Sequence, residues 1–152
     1  EVPQFLNMIP ENANGVVLLT GMGLCYTPMA ILEQRKTIQY LAVFDLMLDI
    51  FLQAMHHMDL SSMLSDPRLI LSIDPEPDID KVLAPASLAL QLESIYDLKH
   101  MPSFALDKER YTILSDAVFT VANQFNLGGG AILGGGRAYT ANRFKNLTSM
   151  YK

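Results

Sequence analysis

The stretch GVVLLTGMGLCYTP, residues 15–28, decides the fold. Residues 16–19 are an uninterrupted apolar run of strand length, which is typical of a strand buried on both faces of a parallel sheet. Gly21 and Gly23 then form a turn, and Thr27-Pro28 supplies a helix N-cap with proline at the first helical position. The stretch therefore predicts a central strand, a glycine turn and a helix, in that order.

The same order of elements repeats along the chain. The predicted elements after the first strand are helices at 27–36, 46–58 and 78–91, the last interrupted at Pro85, and strands at 38–44, 69–73 and 95–100. Such an alternation is typical of parallel strands that are joined by right-handed helical crossovers. We therefore expect a Rossmann-like α/β fold with three to four parallel strands, flanking helices and a helical C-terminal extension.

The C-terminal third of the chain reads as helix. Residues 107–127 predict a long amphipathic helix, which the glycine triplet at 128–130 is expected to stop. A short hinge then leads to a terminal amphipathic helix at 137–151. We accordingly divide the chain into an α/β domain at 1–106 and a helical extension at 107–152 that leads to a further domain.

Length and composition predict one globular domain of 152 residues, 50% apolar and 18% charged, with a net charge of −5. A chain of this length buries roughly two-thirds of its unfolded-state surface, so its core needs no disulfide or structural metal.

The basic residues are few and scattered, which argues against a nucleic-acid partner. The single cysteine, Cys25, excludes an intramolecular disulfide. The sequence has no signal-peptide pattern. We therefore expect a cytoplasmic protein without a membrane partner.

Five residues around the glycine turn form the candidate ligand site: Gly21, Gly23, Cys25, Tyr26 and Asp45. Glycine between a strand and a helix lets the backbone approach a ligand, and the helix N-terminus offers N–H groups. Asp45 follows Gly23 by 22 residues, at the predicted end of the second strand. Nucleotide-binding α/β folds place a carboxylate for ribose hydroxyls at that position. The pattern predicts a nucleotide-type pocket.

The sequence leaves the ligand of this pocket open. Tyr26 stands where the dinucleotide pattern has its third glycine, which disfavours pyrophosphate binding. The looser pattern of S-adenosylmethionine enzymes fits better if Cys25 stands in for the last small residue. An S-adenosylmethionine-dependent enzyme or binder is therefore one alternative. The other is that the glycines only allow the helix to pack closely on the sheet.

Three other clusters favour structural roles. His56 and His57 lie about 100° apart on a helix, so they cannot ligate one metal from a single face, and we expect one buried and one solvated. The acidic residues after the third strand lack the spacing of a calcium loop and favour a solvated turn; they are Asp74, Glu76, Asp78 and Asp80. The two glycine triplets lack the strand and the lysine of a P-loop.

Residues 15–75 carry a further pattern, which continues more weakly through 100–103 and 142–146. Its parts are the strand at 16–20, the turn at 21–26, Phe44-Asp45 at a strand end, Phe51, Ala54, Asp59-Leu60 and Asp66-Pro67-Arg68-Leu69. This pattern resembles the N-terminal region of the motility accessory factor proteins. These are bacterial flagellin glycosyltransferases, related to an archaeal pterin diphosphokinase.

The resemblance implies a multidomain protein that transfers an activated nonulosonic, sialic-acid-like sugar from its nucleotide to Ser or Thr hydroxyls of flagellin. The family's transferase domain follows this region and opens with a strand that leads to a Gly-Pro-Ser turn, which the 152 residues do not contain. The resemblance therefore implies that this chain is a non-catalytic N-terminal domain. Its implied partners are the downstream transferase domain and flagellin.

Overall fold

Four parallel strands form one sheet in the computed structural model, which describes the backbone of residues 2–133 and the side chains of residues 2–126. The strands are β1 Gly15–Thr20, β2 Tyr40–Asp45, β3 Leu69–Ile73 and β4 Ser94–Lys99. Their order in the sheet is β3-β2-β1-β4, so β1 is an inner strand, as predicted. The Rossmann-like α/β fold is confirmed.

Eight helices flank the sheet in the described part of the chain. They are α1 Val2–Asn7, α2 Tyr26–Gln34, α3 Leu48–His57, α4 Ser61–Leu64, α5 Ile79–Leu83, α6 Ser87–Leu92, α7 Met101–Leu106 and α8 Lys108–Leu133. A 3₁₀ turn at Ala84–Ala86 separates α5 from α6, because Pro85 interrupts the helical hydrogen bonds as predicted. Within residues 2–133, none of the helices combines the length and apolarity that a membrane span requires.

A hydrophobic core lies on each face of the sheet. Val17 and Leu19 of β1 point to one face, where they join apolar side chains of α1, α2 and α3. Val16 and Leu18 point to the other face, where they join side chains of α5, α6 and α8. Because successive strand residues alternate between faces, a strand covered on both sides has no polar position to spare. This explains the unbroken apolar run that identified β1.

Helix α2 begins at Tyr26, two residues before Pro28, the predicted first helical residue. Its N-cap is Cys25, which adopts the left-handed conformation with φ 72°, and no side chain caps the helix. The predicted N-cap Thr27 is instead buried in the first helical turn beside Pro28. Leu24, in the turn before the helix, is 42% exposed. The prediction of the N-cap was wrong because α2 begins after the left-handed backbone of Cys25 and not after a capping hydroxyl.

The glycine triplet at 128–130 does not end α8, which continues to Leu133. Glycine keeps its backbone N–H, so a helix can pass through it at a cost of about 1 kcal/mol per residue relative to alanine. Positive φ, which usually ends a helix at glycine, occurs among the described glycines only at Gly21 and Gly23. Residues 131–133, which we expected to belong to the hinge, are the last residues of α8, so that part of the prediction was wrong. The rest of the predicted hinge and the terminal helix at 137–151 lie outside the described residues.

His56 and His57 are both exposed, so the expectation of one buried histidine was wrong. The buried stripe of α3 consists of Phe51 and Ala54, and neither histidine falls on it.

The structure also contains the short helices α1, α4 and α7, which hydrophobic periodicity did not predict because four to six residues are too few to show it.

Two arginines cap the C-terminal ends of neighbouring helices. Arg35, which is buried, donates from Nε to the Ile9 carbonyl at 2.8 Å and from Nη2 to the Leu6 carbonyl at 2.6 Å. Arg68 donates in the same way to the carbonyls of Leu32 and Arg35, at 2.6 and 2.9 Å. The carbonyls at the C-terminal end of a helix accept no hydrogen bond from within the helix. Arg35 supplies the missing donors after α1, and Arg68 supplies them at the end of α2.

We predict that Arg35→Ala lowers the free energy of unfolding by about 1–3 kcal/mol, because the buried carbonyls of Leu6 and Ile9 lose their donors. Urea unfolding followed by circular dichroism measures the change. Gln34→Ala, at the exposed neighbouring position, is the control and should stay within about 0.5 kcal/mol of the wild type. Equal effects of the two substitutions would contradict the capping role.

Candidate functional site

The candidate site lies where the topology of the sheet changes direction. From β1 the chain moves outward to β2 and β3, and it then returns to the opposite side of β1 for β4. The connections that follow β1 and β4 therefore leave in opposite directions and leave a crevice at the carboxyl ends of these strands. Open α/β folds bind their ligands in this crevice. The glycine turn follows β1 and α7 follows β4, so both lie at this position.

Three residues of the turn adopt the left-handed conformation. Gly21 has φ 83°, Gly23 has φ 53° and Cys25 has φ 72°. The backbone N–H of Cys25 donates to the Met22 carbonyl at 3.0 Å, which closes a tight turn before α2. Glycine adopts this conformation without strain, whereas a side chain such as that of Cys25 is disfavoured there. The residues that surround the turn must therefore hold Cys25 in this disfavoured conformation.

The space above both glycines is filled by the residues that lead into α7. A Cβ atom at Gly21 would lie 2.6 Å from the Cβ of Ser103, and one at Gly23 would lie 2.8 Å from Cε1 of His100. Real Cβ atoms do not approach other atoms this closely, so both positions require glycine in this packing. The segment that approaches the glycine backbone is part of the chain itself.

The Asp45 carboxylate connects the turn to α8. Its Oδ2 accepts the Met22 N–H at 2.8 Å, and its Oδ1 accepts the Met47 N–H at 2.9 Å and the Tyr111 hydroxyl at 2.6 Å. The residue is only 4% exposed. Three internal donors, from three different segments of the chain, thus compensate one buried charge.

A second polar contact, between Ser103 and His100, lies near Tyr111. The Ser103 hydroxyl donates to Nδ1 of His100 at 2.7 Å. The Ser103 backbone N–H also donates to Nδ1, at 3.3 Å, so this nitrogen acts as an acceptor and the ring proton belongs on Nε2. The imidazole stacks on Phe5 with 6.0 Å between the ring centres. The Asp45–Tyr111 hydrogen bond thus joins β2 to α8, and the His100 ring joins the start of α7 to α1.

Burial changes the acidity of two groups near the turn. Burial, together with the hydrogen bond to Asp45 and its negative charge, raises the pKa of the Tyr111 hydroxyl far above its usual value. Burial and the charge of Asp45 also raise the pKa of the Cys25 thiol, to about 11. Both groups are neutral at physiological pH, and neither is poised to act as a base or a nucleophile.

An open cleft of about 370 Å³ lies beside the turn, between α1 and the first turn of α2. It is lined by Val2, Pro3, Met22, Leu24, Tyr26, Thr27 and His100. Of the five predicted site residues, Tyr26 lines this cleft and is 60% exposed. Cys25 and Asp45 are buried, and the two glycines lie under α7. The structure thus brings the five residues to one region, but the cleft and the carboxylate are separate.

Sequence reasoning missed the partners of Asp45 and of the glycines. Tyr111 lies within the amphipathic helix predicted at 107–127, and a tyrosine on the apolar side of such a helix needs a partner for its hydroxyl, which is a usable signal. His100 and Ser103 gave no signal, because their contacts depend on how β4 is placed beside β1. In the described part of the chain, no three His, Cys, Asp or Glu side chains are grouped so that they could hold a metal ion.

We predict that Tyr111→Phe lowers the free energy of unfolding by about 1.5–3 kcal/mol, because the buried Asp45 carboxylate loses a hydroxyl donor. Urea unfolding at pH 7 measures the difference. Tyr26→Phe removes a hydroxyl from an exposed tyrosine and should leave the stability unchanged. If both variants were as stable as the wild type, the proposed importance of the Asp45 network would be wrong.

We predict that the Cys25 thiol of the folded chain resists labelling by a thiol reagent at pH 8. Its raised pKa lowers the thiolate fraction at that pH by about a hundredfold relative to an ordinary thiol, and the side chain is fully buried. Mass spectrometry of the iodoacetamide adduct measures the rate. The control is the same reaction in denaturing urea, which should be fast; fast labelling of the folded chain would contradict the buried position.

Comparisons with protein-family models, with curated proteins and with solved structures find no match for this chain. The resemblance to the motility accessory factor family therefore depends on the residues quoted above. Membership of that family stays a prediction.

Proposed function

We propose that this chain is the N-terminal, non-catalytic domain of a motility-accessory-factor-like protein that glycosylates flagellin with a nonulosonic sugar in the cytoplasm. Its role is to support the transferase domain that follows it and to bind partners. The observation that carries this proposal is the internal use of the Asp45 carboxylate, which accepts hydrogen bonds from Met22, Met47 and Tyr111. The resemblance over residues 15–75 supplies the family.

A working nucleotide pocket needs a carboxylate that can accept hydroxyl hydrogens from the ligand. Asp45 could do so only if an internal donor left it, and the loss of a charge-assisted hydrogen bond at a buried site costs about 1.5–3 kcal/mol. That cost would be subtracted from the binding free energy of any ligand. The arrangement therefore favours a carboxylate that stabilises the fold.

A pocket of this type also needs an open surface above the glycines. Here Ser103 and His100 lie where a phosphate or a methionine tail would approach. An S-adenosylmethionine-dependent enzyme would have to move the start of α7 to open this surface. The geometry therefore favours a non-catalytic domain over an S-adenosylmethionine-dependent enzyme.

Flagellin mass tests the proposed function in the source cell. Deletion of the gene should lower the intact mass of flagellin by whole nonulosonic sugar residues, because the transferase is lost. Complementation with the full-length gene should restore the mass. A flagellin of unchanged mass after deletion would contradict the family assignment.

Calorimetric titration of the chain with S-adenosylmethionine, S-adenosylhomocysteine and CMP tests the closed turn separately. We expect no binding heat with any of the three. Micromolar binding that Asp45→Asn weakens at least tenfold, or about 1.4 kcal/mol, would replace the proposal by a ligand-binding function. Asp49→Asn is the control because Asp49 is an exposed carboxylate in the same connection, at the start of α3.

A further inference from the structure

Three large apolar side chains form an exposed stripe along α3. Leu48, Leu52 and Met55 are four and three residues apart, so they fall within about 60° of one another around the helix axis. Each is between 44% and 52% exposed, whereas Phe51 and Ala54, on the adjoining side of the helix, are buried in the core. Neighbouring exposed apolar residues of this kind are typical of contact surfaces. We call the three residues the α3 stripe.

A charged flank runs along the other side of the α3 stripe. Asp49 and His56 lie about 100° and about 80° from Leu48 around the helix axis, away from the core. Both are exposed, and neither takes part in an ion pair among the described side chains. Asp49 belongs to the first turn of α3 and His56 to the last turn. With His56 protonated, the flank therefore carries opposite charges at its two ends.

This flank is complementary to a second copy of itself. When two identical helices pack antiparallel about a two-fold axis, the same flank of each helix faces its counterpart, and the first turn of one faces the last turn of the other. If the axis passes between positions 52 and 53, Asp49 of one copy lies level with His56 of the other. The axis generates this pair twice, and antiparallel helix dipoles also attract each other.

The same register packs the apolar side chains. With the axis between positions 52 and 53, Met55 of one copy lies level with position 50 of the other, which is halfway between Leu48 and Leu52. Met55 can therefore enter the space between these two leucines, as a knob enters a hole in a coiled coil. Its unbranched thioether adapts easily to such a space. Charge and packing thus select one register independently.

We propose that α3 is a two-fold dimer interface, in which the α3 stripe packs antiparallel on that of a second copy of this chain and Asp49 pairs with His56 across it. The helix has 10 residues and is about 15 Å long, so the contact is small. Small contacts are typical of weak, reversible association, and we expect a dissociation constant in the micromolar range. The interface does not depend on the proposed function.

Sedimentation equilibrium of the whole chain tests this interface, at pH 6, which favours the charged form of histidine. Over a series of micromolar chain concentrations, the average mass should rise from that of one chain to that of two. Met55→Glu should raise the dissociation constant by about tenfold or more, because an apolar side chain of each copy leaves the interface. His56→Glu should raise it by about fivefold, because acidic side chains then face each other twice.

Two further variants control for charge and orientation. His57→Glu introduces the same charge in the same turn of α3, but His57 lies about 180° from Leu48, so the dissociation constant should stay within about twofold of the wild type. The double variant Asp49→Lys with His56→Glu reverses both charges of the pair. It should restore the association that His56→Glu alone weakens.

Each outcome decides the proposal. A dimer that Met55→Glu and His56→Glu weaken, that His57→Glu spares and that the charge reversal restores supports it. A chain that stays monomeric throughout the series overturns it, and so does a dimer that none of the variants weakens, since that dimer uses another surface. Failure of the charge reversal to restore association overturns the antiparallel pairing of Asp49 with His56. Unchanged circular dichroism of every variant confirms that a loss of association is not a loss of fold.

Discussion

A buried carboxylate that must be compensated is the constraint on which this structure depends. Asp45 ends β2 inside the protein, where a charge without partners would cost several kcal/mol. Its donors are Met22 in the turn after β1, Met47 in the turn after β2 and Tyr111 on α8. Because one side chain needs all three, the two connections and the long helix hold fixed positions relative to one another.

The glycine turn follows from this arrangement. The Met22 N–H can point to Asp45 only if the chain reverses between β1 and α2, which the left-handed conformations of Gly21 and Gly23 permit. The same absence of side chains lets Ser103 and His100 come close to the turn. A pattern that is typical of ligand binding thus serves internal packing here. The alternative that the glycines allow close packing describes the geometry, although the packed segment is the start of α7 and not α2.

The sequence was sufficient for the sheet because its strands are strong local signals. The apolar run at 16–19 lies within β1, since a strand covered on both faces has few polar positions, and β3 has the predicted bounds, 69–73. The position of Asp45 at the end of β2 was also predicted. Its partners were not, because Tyr111 is 66 residues away and spacing carries no information on that distance. The unusual N-cap at Cys25 and the continuation of α8 through 128–130 depend on backbone conformations that residue type only biases.

The separation between Asp45 and Tyr111 also sets an order of events during synthesis. Strands β1 and β2 and the turn between them leave the ribosome long before α8 is complete, so the carboxylate at first lacks its hydroxyl donor. Contacts between segments far apart in sequence form slowly, because a long loop must close before they are gained. Until α8 is in place, the Asp45 carboxylate of a nascent chain has only the two backbone donors of the neighbouring turns, Met22 and Met47.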